Sequence, residues 1–322
     1  LRKLDSLKNI EALIIGESII DQYVFVSPKG RAMKDPILST RFKNQENYAG
    51  GVLANANHLS SYVNKVKIVT LVGDHNSQLD FIKNSLPGNT ELKYFIKKDS
   101  PTIIKKRYID AYRNHKLFKI EYMNDVPIPE NLSDEIVDYL SNELPKYNLV
   151  LASDFGHGFI NNSIRDVLEK KSSFLSANAQ SNSSNFGYNY INHYNNLDFI
   201  VMNEEELRLP LMKRFEDINE LIFEFYEKFK FEKFLVTLGQ AGCLFFNGGQ
   251  IFSGPALTKK VVDTVGAGDA VFSIASLLTY SNLDNEMMPF IANCTGAIKA
   301  KYMGNKESVS KDKLIKFIDE IL

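Results

Sequence analysis

The run Asp263-Thr264-Val265-Gly266-Ala267-Gly268-Asp269 sets small residues between two carboxylates. Small side chains let a backbone approach an anion closely. Beyond the run, Val271, Ile274, Ala275 and Leu278 fall at helical spacing, predicting a helix over 270–280 with Gly268 and Asp269 at its start. The leading amides of a helix have no partner within it and carry partial positive charge. Gly266, Ala267 and Gly268 could therefore form an anion hole of N–H groups, suited to charge spreading over a phosphoryl group in transfer. Asp269, beside them, could take the proton of an attacking hydroxyl. The plain alternative is that Asp269 only caps the helix, a role contributing about 1 kcal/mol.

Such residues need a scaffold, and the sequence points to one. Leu13-Ile14-Ile15 runs into Gly16, residues 66–72 into Gly73-Asp74, 148–152 into Ser153-Asp154, 199–201 toward Asn203, and 234–237 toward Gly239. Each run is short and apolar and meets Gly, Asp or Asn, as buried parallel strands do where they reach loops that carry sites. Helical patterns lie between them, over 132–144 and 218–229 among others. This alternation predicts an α/β fold, a doubly wound, mostly parallel sheet flanked by helices, with ligands at the carboxyl ends of the strands.

Two regions break the alternation. Residues 22–48 hold extended candidates at 23–26 and 37–42 around a Pro/Gly turn; residues 101–123 hold two more, at 102–109 and 117–122. They read as hairpin-like pieces outside the main sheet, either a joint β-lid or surface decoration. Residues 178–196, rich in Asn and Ser, read as a mobile polar loop or as amides facing sugar hydroxyls.

Bulk properties narrow the function. The 322 residues are 44% apolar and 24% charged, ordinary for a globular enzyme of one large domain or two modest ones. A net charge of −1 does not suit nucleic acid, which needs clustered cations. The two isolated cysteines, Cys243 and Cys294, fit a reducing cytoplasm, and no C-x-x-C or H-E-x-x-H suggests zinc. No G-x-x-x-x-G-K-[ST] is present, which disfavours a P-loop ATPase. The longest apolar run near the start, residues 12–15, is too short for a membrane span or a signal-peptide core. The first residue is Leu1, not Met, so the chain is expected to be an excerpt of a longer protein.

The D-T-V-G-A-G-D string resembles the C-terminal signature of the ribokinase-like, or PfkB, carbohydrate kinases, and the likeness extends along nearly the whole chain. Gly16-Glu17-Ser18-Ile19-Ile20-Asp21 resembles that family's first strand and its sugar-binding Asp. Ala49-Gly50-Gly51-Val52-Leu53-Ala54-Asn55 resembles its G-G-x-x-x-N segment, and Asn203-Glu204-Glu205-Glu206 its N-x-x-E motif. Val236-Thr237-Leu238-Gly239 with Gly242 is similar to its nucleotide-side strand and turn; residues 293–304 resemble its closing helix. Within the family, Asp21-Gln22-Tyr23-Val24, Pro101-Thr102-Ile103-Ile104-Lys105-Lys106-Arg107 and Ser153-Asp154-Phe155-Gly156-His157-Gly158 resemble the heptose-7-phosphate kinases of ADP-heptose synthesis. His157 stands where those enzymes carry Lys, and Ser176-Ala177-Asn178-Ala179-Gln180 where they carry a D-P-K-like turn.

The resemblance implies a ribokinase-like fold, one kinase domain over residues 1–322, and transfer of the γ-phosphoryl group of ATP to a sugar or sugar-phosphate hydroxyl. It implies Asp21, Gly50, Gly51, Asn55 and Asp154 at the sugar, and Asn203, Thr237, Gly239, Gly242 and Asn293 at the nucleotide. Gly50-Gly51 could equally be a plain turn, and Asp21 could cap a loop. Arg31 and Arg107 could clamp a phosphate on the sugar, or face solvent. Glu206 would hold Mg²⁺ through water, or merely belong to an acidic first helical turn. Asp263, with the carbonyls of Val265 and Gly304, resembles the site of a monovalent cation such as K⁺ in some members; a turn-stabilising Asp is the alternative. The resembled heptose kinases pair through their lids, which implies a homodimer, and related segments accompany a nucleotidyltransferase domain. Competing functions are a kinase of nucleosides or another small alcohol, and a non-catalytic sugar or nucleotide sensor.

Overall fold

The computed structural model describes residues 6–258 and 261–322. Its strands are β1 (Glu11–Gly16), β2 (Ser18–Arg31), β3 (Leu38–Gly51), β4 (Lys65–His75), β5 (Thr90–Pro101), β6 (Ile103–Asp110), β7 (Lys116–Tyr122), β8 (Leu149–Asp154), β9 (Leu175–Ala179), β10 (Phe199–Asn203), β11 (Lys233–Thr237), β12 (Cys243–Asn247) and β13 (Gln250–Gly254). Nine of them form the main sheet, in the order β13-β12-β11-β10-β9-β8-β1-β4-β5. All neighbours from β11 to β5 run parallel; β12 and β13 add an antiparallel hairpin at one edge. This is the doubly wound, mostly parallel sheet expected from the sequence.

The strand pleat explains why the runs are apolar on every residue. Ala12 and Ile14 enter one core, Leu13 and Ile15 the other; Leu149 and Val150 part in the same way. Helices Val52–Leu59, Ala267–Tyr280, Met287–Lys299 and Lys311–Ile321 cover the first face. Helices Glu130–Glu143, Asn162–Lys171 and Ile218–Phe229 cover the second. The last coincides with the pattern read over 218–229, where Leu221, Ile222 and Phe225 are buried and Asp217 caps the start.

The four remaining strands make a separate sheet, β3-β2-β6-β7. β2 pairs antiparallel with β3, β6 antiparallel with β7, and a parallel β2–β6 pair joins the two hairpins. The two lid pieces thus form one sheet, with β2 and β3 far longer than the extended runs at 23–26 and 37–42 suggested. Tyr23, Tyr48 and Ile109 make its small core. The sequence reading did not anticipate β5, β9 or the β12–β13 hairpin. β9 (Leu-Ser-Ala-Asn-Ala) carries too little apolar character to read as buried, yet Ser176 is matched by a hydrogen bond with Ser276 at 2.6 Å. Three asparagines of 178–196, Asn178, Asn185 and Asn189, turn inward rather than toward solvent. Asn185 donates to the Phe155 carbonyl at 2.7 Å and Asn189 to the Asp154 carbonyl at 3.0 Å. Among the described residues no helix is long and apolar enough to cross a membrane.

Candidate active site

The helix expected after the glycine-rich run begins at Ala267, with Gly266 at its N-cap. Gly266 takes φ 79°, and a Cβ there would lie 2.1 Å from Asn305 Oδ1, so the position needs glycine. Asp269 is therefore a first-turn residue rather than the cap, and it makes no capping hydrogen bond. Instead its Oδ1 accepts from Gln180 Nε2 at 2.8 Å. Ala267 departs from its expected role, because its N–H donates to the Thr264 carbonyl at 3.1 Å in the entry turn. Among the described residues, the amides of Gly266, Gly268 and Asp269 have no protein acceptor. A Cβ at Gly268 would meet nothing within 4 Å. Packing does not demand glycine there, and the open space above it is room for a ligand.

Two cavities meet at Gly268 and Thr237. One, of about 230 Å³, is mostly apolar, lined by Val271, Ala292 and Ala297 and by Thr237, Gly239, Gly242 and Asn293. Four of the five residues assigned to the nucleotide thus share one recess. Asn293 also donates to the Gly254 carbonyl at 2.8 Å, tying β13 to the recess wall. The other cavity, of about 170 Å³, is polar; Asn203, Glu206, Gln180, Gly266, Gly268 and Asp269 line it.

The carboxylates of the polar cavity are electrostatically strained. Burial pushes the Asp269 carboxyl up to about 6; Gln180 opposes this and the nearby Asp21 charge adds to it. Burial likewise pushes Glu206 up to about 7, against the Asn203 and Ser181 amides, with Asp269 contributing. Glu206 and Asn203 form a reciprocal capping box, so the helical-turn reading of Glu206 is realised. It does not exhaust the side chain. Each Glu206 oxygen accepts one backbone N–H, from Ser181 and Asn203, both at 2.9 Å, which leaves lone pairs facing the cavity. The Glu206 carboxylate, a hard oxygen donor on this cavity with Asn203 beside it, fits Mg²⁺ held through water.

A pH dependence follows. With Asp269 as the base expected from the sequence, kcat/KM should rise with pH through about 6 and level off above 7. A hydrogen bond donated to a carboxylate favours its charged form. Gln180→Leu removes that bond, raises the proton affinity of Asp269 and should move the acid limb to higher pH. Initial rates between pH 5 and 9 measure this; a limb that stays in place in the variant would assign the titration to another group, such as Glu206.

The sugar-side residues divide into two sets. Asp21 is 4% exposed at the lid root, where Arg107 Nη1 donates to its Oδ1. Its Oδ2 fills the space over Gly50, where a Cβ would lie 2.5 Å away, and Gly51 is the N-cap of helix Val52–Leu59. Asp21 lies close enough for its charge to raise the Asp269 carboxyl. Asn55, fully buried, faces protein instead. Its amide donates to the Asp269 carbonyl at 3.2 Å and to Ser273 at 3.0 Å, and its oxygen accepts from Ser153. It positions the catalytic helix rather than touching a substrate. Asp154 is also turned inward, toward Asn189, Tyr194, the Gly156 amide and Arg165. Arg31 lies at the exposed far end of β2, paired with Leu38, whereas Arg107 pairs with Tyr23. Eight residues of strand separate them, roughly 26 Å, so this chain alone does not bring the two arginines onto one phosphate. His157 is buried, and burial followed by the Lys105 charge pushes it down to about 4, so it is neutral at pH 7.

Asp263 accepts from the Tyr23 hydroxyl at 2.8 Å, the Gly304 amide at 2.9 Å, the Val265 amide at 3.1 Å, and Lys116. The Val265 and Gly304 carbonyls do not stand open to an ion; both accept from Lys299. Sequence reasoning missed Gln180 and Lys299. Gln180 follows a strand that was not recognised. Lys299, at the end of a helix, resembles an ordinary solvent-facing cation near a C-terminal dipole.

Comparison with known proteins bears on the fold and the family. Bifunctional protein HldE of Helicobacter hepaticus is 24% identical over 306 residues, 92% of this chain and 62% of that protein. The chain spans about three fifths of the length of the curated relatives it matches. Phosphofructokinase-2 from Escherichia coli in complex with potassium superposes with a TM-score of 0.75 at 13% identity, covering 98% of this chain and 99% of the other. Arabidopsis thaliana ribokinase complexed with ribose and ATP gives 0.71 at 15% identity, covering 96% and 99%. These likenesses show that the fold is ribokinase-like. The family model described as pfkB family carbohydrate kinase matches residues 9–312. The chain belongs to that family and is an ATP-dependent carbohydrate kinase.

Proposed function

We propose that the enzyme phosphorylates a hydroxyl of a sugar phosphate, with heptose 7-phosphate as the leading acceptor. The observation that carries this reading is the place of Asp269, beside unpaired amides where the nucleotide recess and the polar cavity meet. Asp269 takes the proton of the acceptor hydroxyl. The oxygen attacks the γ-phosphorus of ATP, the bond to the β–γ bridging oxygen breaks, and ADP leaves with that electron pair. The amides of Gly266, Gly268 and Asp269 stabilise the charge on the transferring group. Glu206 and Asn203 would hold Mg²⁺ through water, and the ion would supply positive charge to neutralise the phosphates. Asp21, held by Arg107, accepts hydrogen bonds from acceptor hydroxyls, and the donors left on Arg107 face the acceptor's own phosphate.

The lid motifs around Asp21, Lys105 and Arg107 support a phosphorylated acceptor, as does the similarity to proteins named HldE. In this reading residues 1–322 act as one kinase domain in the cytoplasm, alongside a nucleotidyltransferase domain in the same or an associated chain. The edge strands β3 and β7, with exposed Phe42, Phe118 and Ile120, pair two copies into a homodimer, which light scattering measures. An acceptor screen tests the main claim. With ATP in excess, heptose 7-phosphate should exceed nucleosides and unphosphorylated sugars in kcat/KM by about 10²-fold or more. Reaction with nucleosides alone would sink it.

A further inference from the structure

Asp263, Val265 and Gly304 match a monovalent-cation site by resemblance, yet the three groups do not offer one. The two carbonyls converge on Lys299 Nζ, at 2.8 Å from Val265 O and 2.6 Å from Gly304 O. Lys299 is fully buried, and its ammonium arrives from the last residue of helix Met287–Lys299. The Asp263 carboxylate already accepts from Tyr23, Lys116 and the amides of Val265 and Gly304. A carboxylate has about four acceptor sites, so it has none left for an ion. Every expected ligand is satisfied by a donor from this chain, and the position carries one positive charge, as a bound K⁺ would.

The location gives that charge a task. Val265 C=O and Gly266 N–H belong to one peptide unit, and in a trans peptide they point in opposite directions. Drawing the carbonyl toward Lys299 turns the Gly266 amide the other way, and Gly266 lines the polar cavity beside Asp269. We propose that Lys299 is a tethered cation standing in place of a free monovalent ion, so that this kinase needs no K⁺ to hold its anion hole in shape. Lys299 is a positioning residue, acting through the Val265–Gly266 peptide. Only its consequence for turnover rests on the phosphoryl-transfer reading; the replacement of the ion does not.

Thermal melting tests it without nucleotide or acceptor, so its failure is separable from failure of the proposed reaction. The full chain is melted in KCl and in tetramethylammonium chloride at equal ionic strength. The unaltered protein should melt within about 1 °C in the two salts. Lys299→Ala leaves two buried carbonyls unpaired and vacates the room of the side chain. It should melt on the order of 5 °C lower in tetramethylammonium chloride, and KCl should restore half or more of that loss in a saturable way. Lys299→Met refills the room with an uncharged chain and should show the loss without the recovery. A saturable stabilisation of the unaltered protein by KCl overturns the proposal. So does equal recovery in both variants, or none in Lys299→Ala. Should Lys299→Ala fail to fold, the unaltered protein and Lys299→Met still decide between the outcomes.

Discussion

Asp269→Asn should lower kcat by about 10³-fold, within the 10²–10⁴ range of a positioned general base, while nucleotide affinity stays within about twofold. Asparagine keeps the volume of the side chain, and its amide can still meet Gln180, since the glutamine can present either its oxygen or its nitrogen. Burial pushes the carboxyl up to about 6, so its charge is a cost to the fold at neutral pH and removing it should not lower stability. Both cavities remain, because Gly268 and Thr237 still line them. Only the proton acceptor is lost. Single-turnover kinetics, titration of a non-hydrolysable ATP analogue and a melting curve separate chemistry from binding and folding. If kcat falls less than tenfold while the variant is folded and binds nucleotide, Asp269 is not the base. A non-catalytic sensor, by contrast, would show no acceptor-dependent ATP consumption in the unaltered protein either.

The second large effect falls on the lid root. Arg107→Ala leaves the Asp21 carboxylate, 4% exposed, without its cation. Removing one member of a buried pair costs about 3–5 kcal/mol, which in a domain of this size corresponds to a melting temperature lower by roughly 4–7 °C. Much of that penalty is the stranded charge. Asp21→Asn added to Arg107→Ala should therefore recover most of the loss, although it should not recover acceptor binding. On the proposed reading of Asp21 as a sugar ligand, acceptor KM should rise in both variants by at least tenfold with ATP KM unchanged, because Asp21 does not line the apolar recess. Arg107→Ala melting like the unaltered protein would mean that the pair is not maintained in solution. A matching rise in ATP KM would mean that the lid root shapes the nucleotide recess instead.

The catalytic string was legible because its chemistry is local. Small residues, a following apolar helix and a closing carboxylate occupy one short stretch, so the helix N-terminus and its unpaired amides follow from neighbours in sequence. The buried strands were legible for a similar reason: a strand with cores on both faces must be apolar throughout. The boundary error at the catalytic helix was also local. Gly266 entered the αL region and began the helix at Ala267, which took the Ala267 amide into the turn and moved Asp269 off the cap.

Long-range partnerships were not legible. Asn55 and Asp154 look like substrate ligands in sequence because they follow strands or glycines. Whether such a side chain faces a cavity or the interior depends on which helices pack over it. The structure turns Asn55 onto the catalytic helix, 214 residues away, and surrounds Asp154 with Asn189, Tyr194 and Arg165. Gln180 reaches Asp269 across 89 residues, from the end of a strand that sequence periodicity did not reveal.

The amino-acid sequence by itself therefore determined the layered parallel sheet, the lid strands and the carboxylate beside its unpaired amides, because each arises from short-range pattern and backbone geometry. Only the tertiary structure decided which polar side chains face ligand and which face protein. It alone filled the expected cation position with Lys299, because burial and hydrogen-bond pairing are set where distant segments meet.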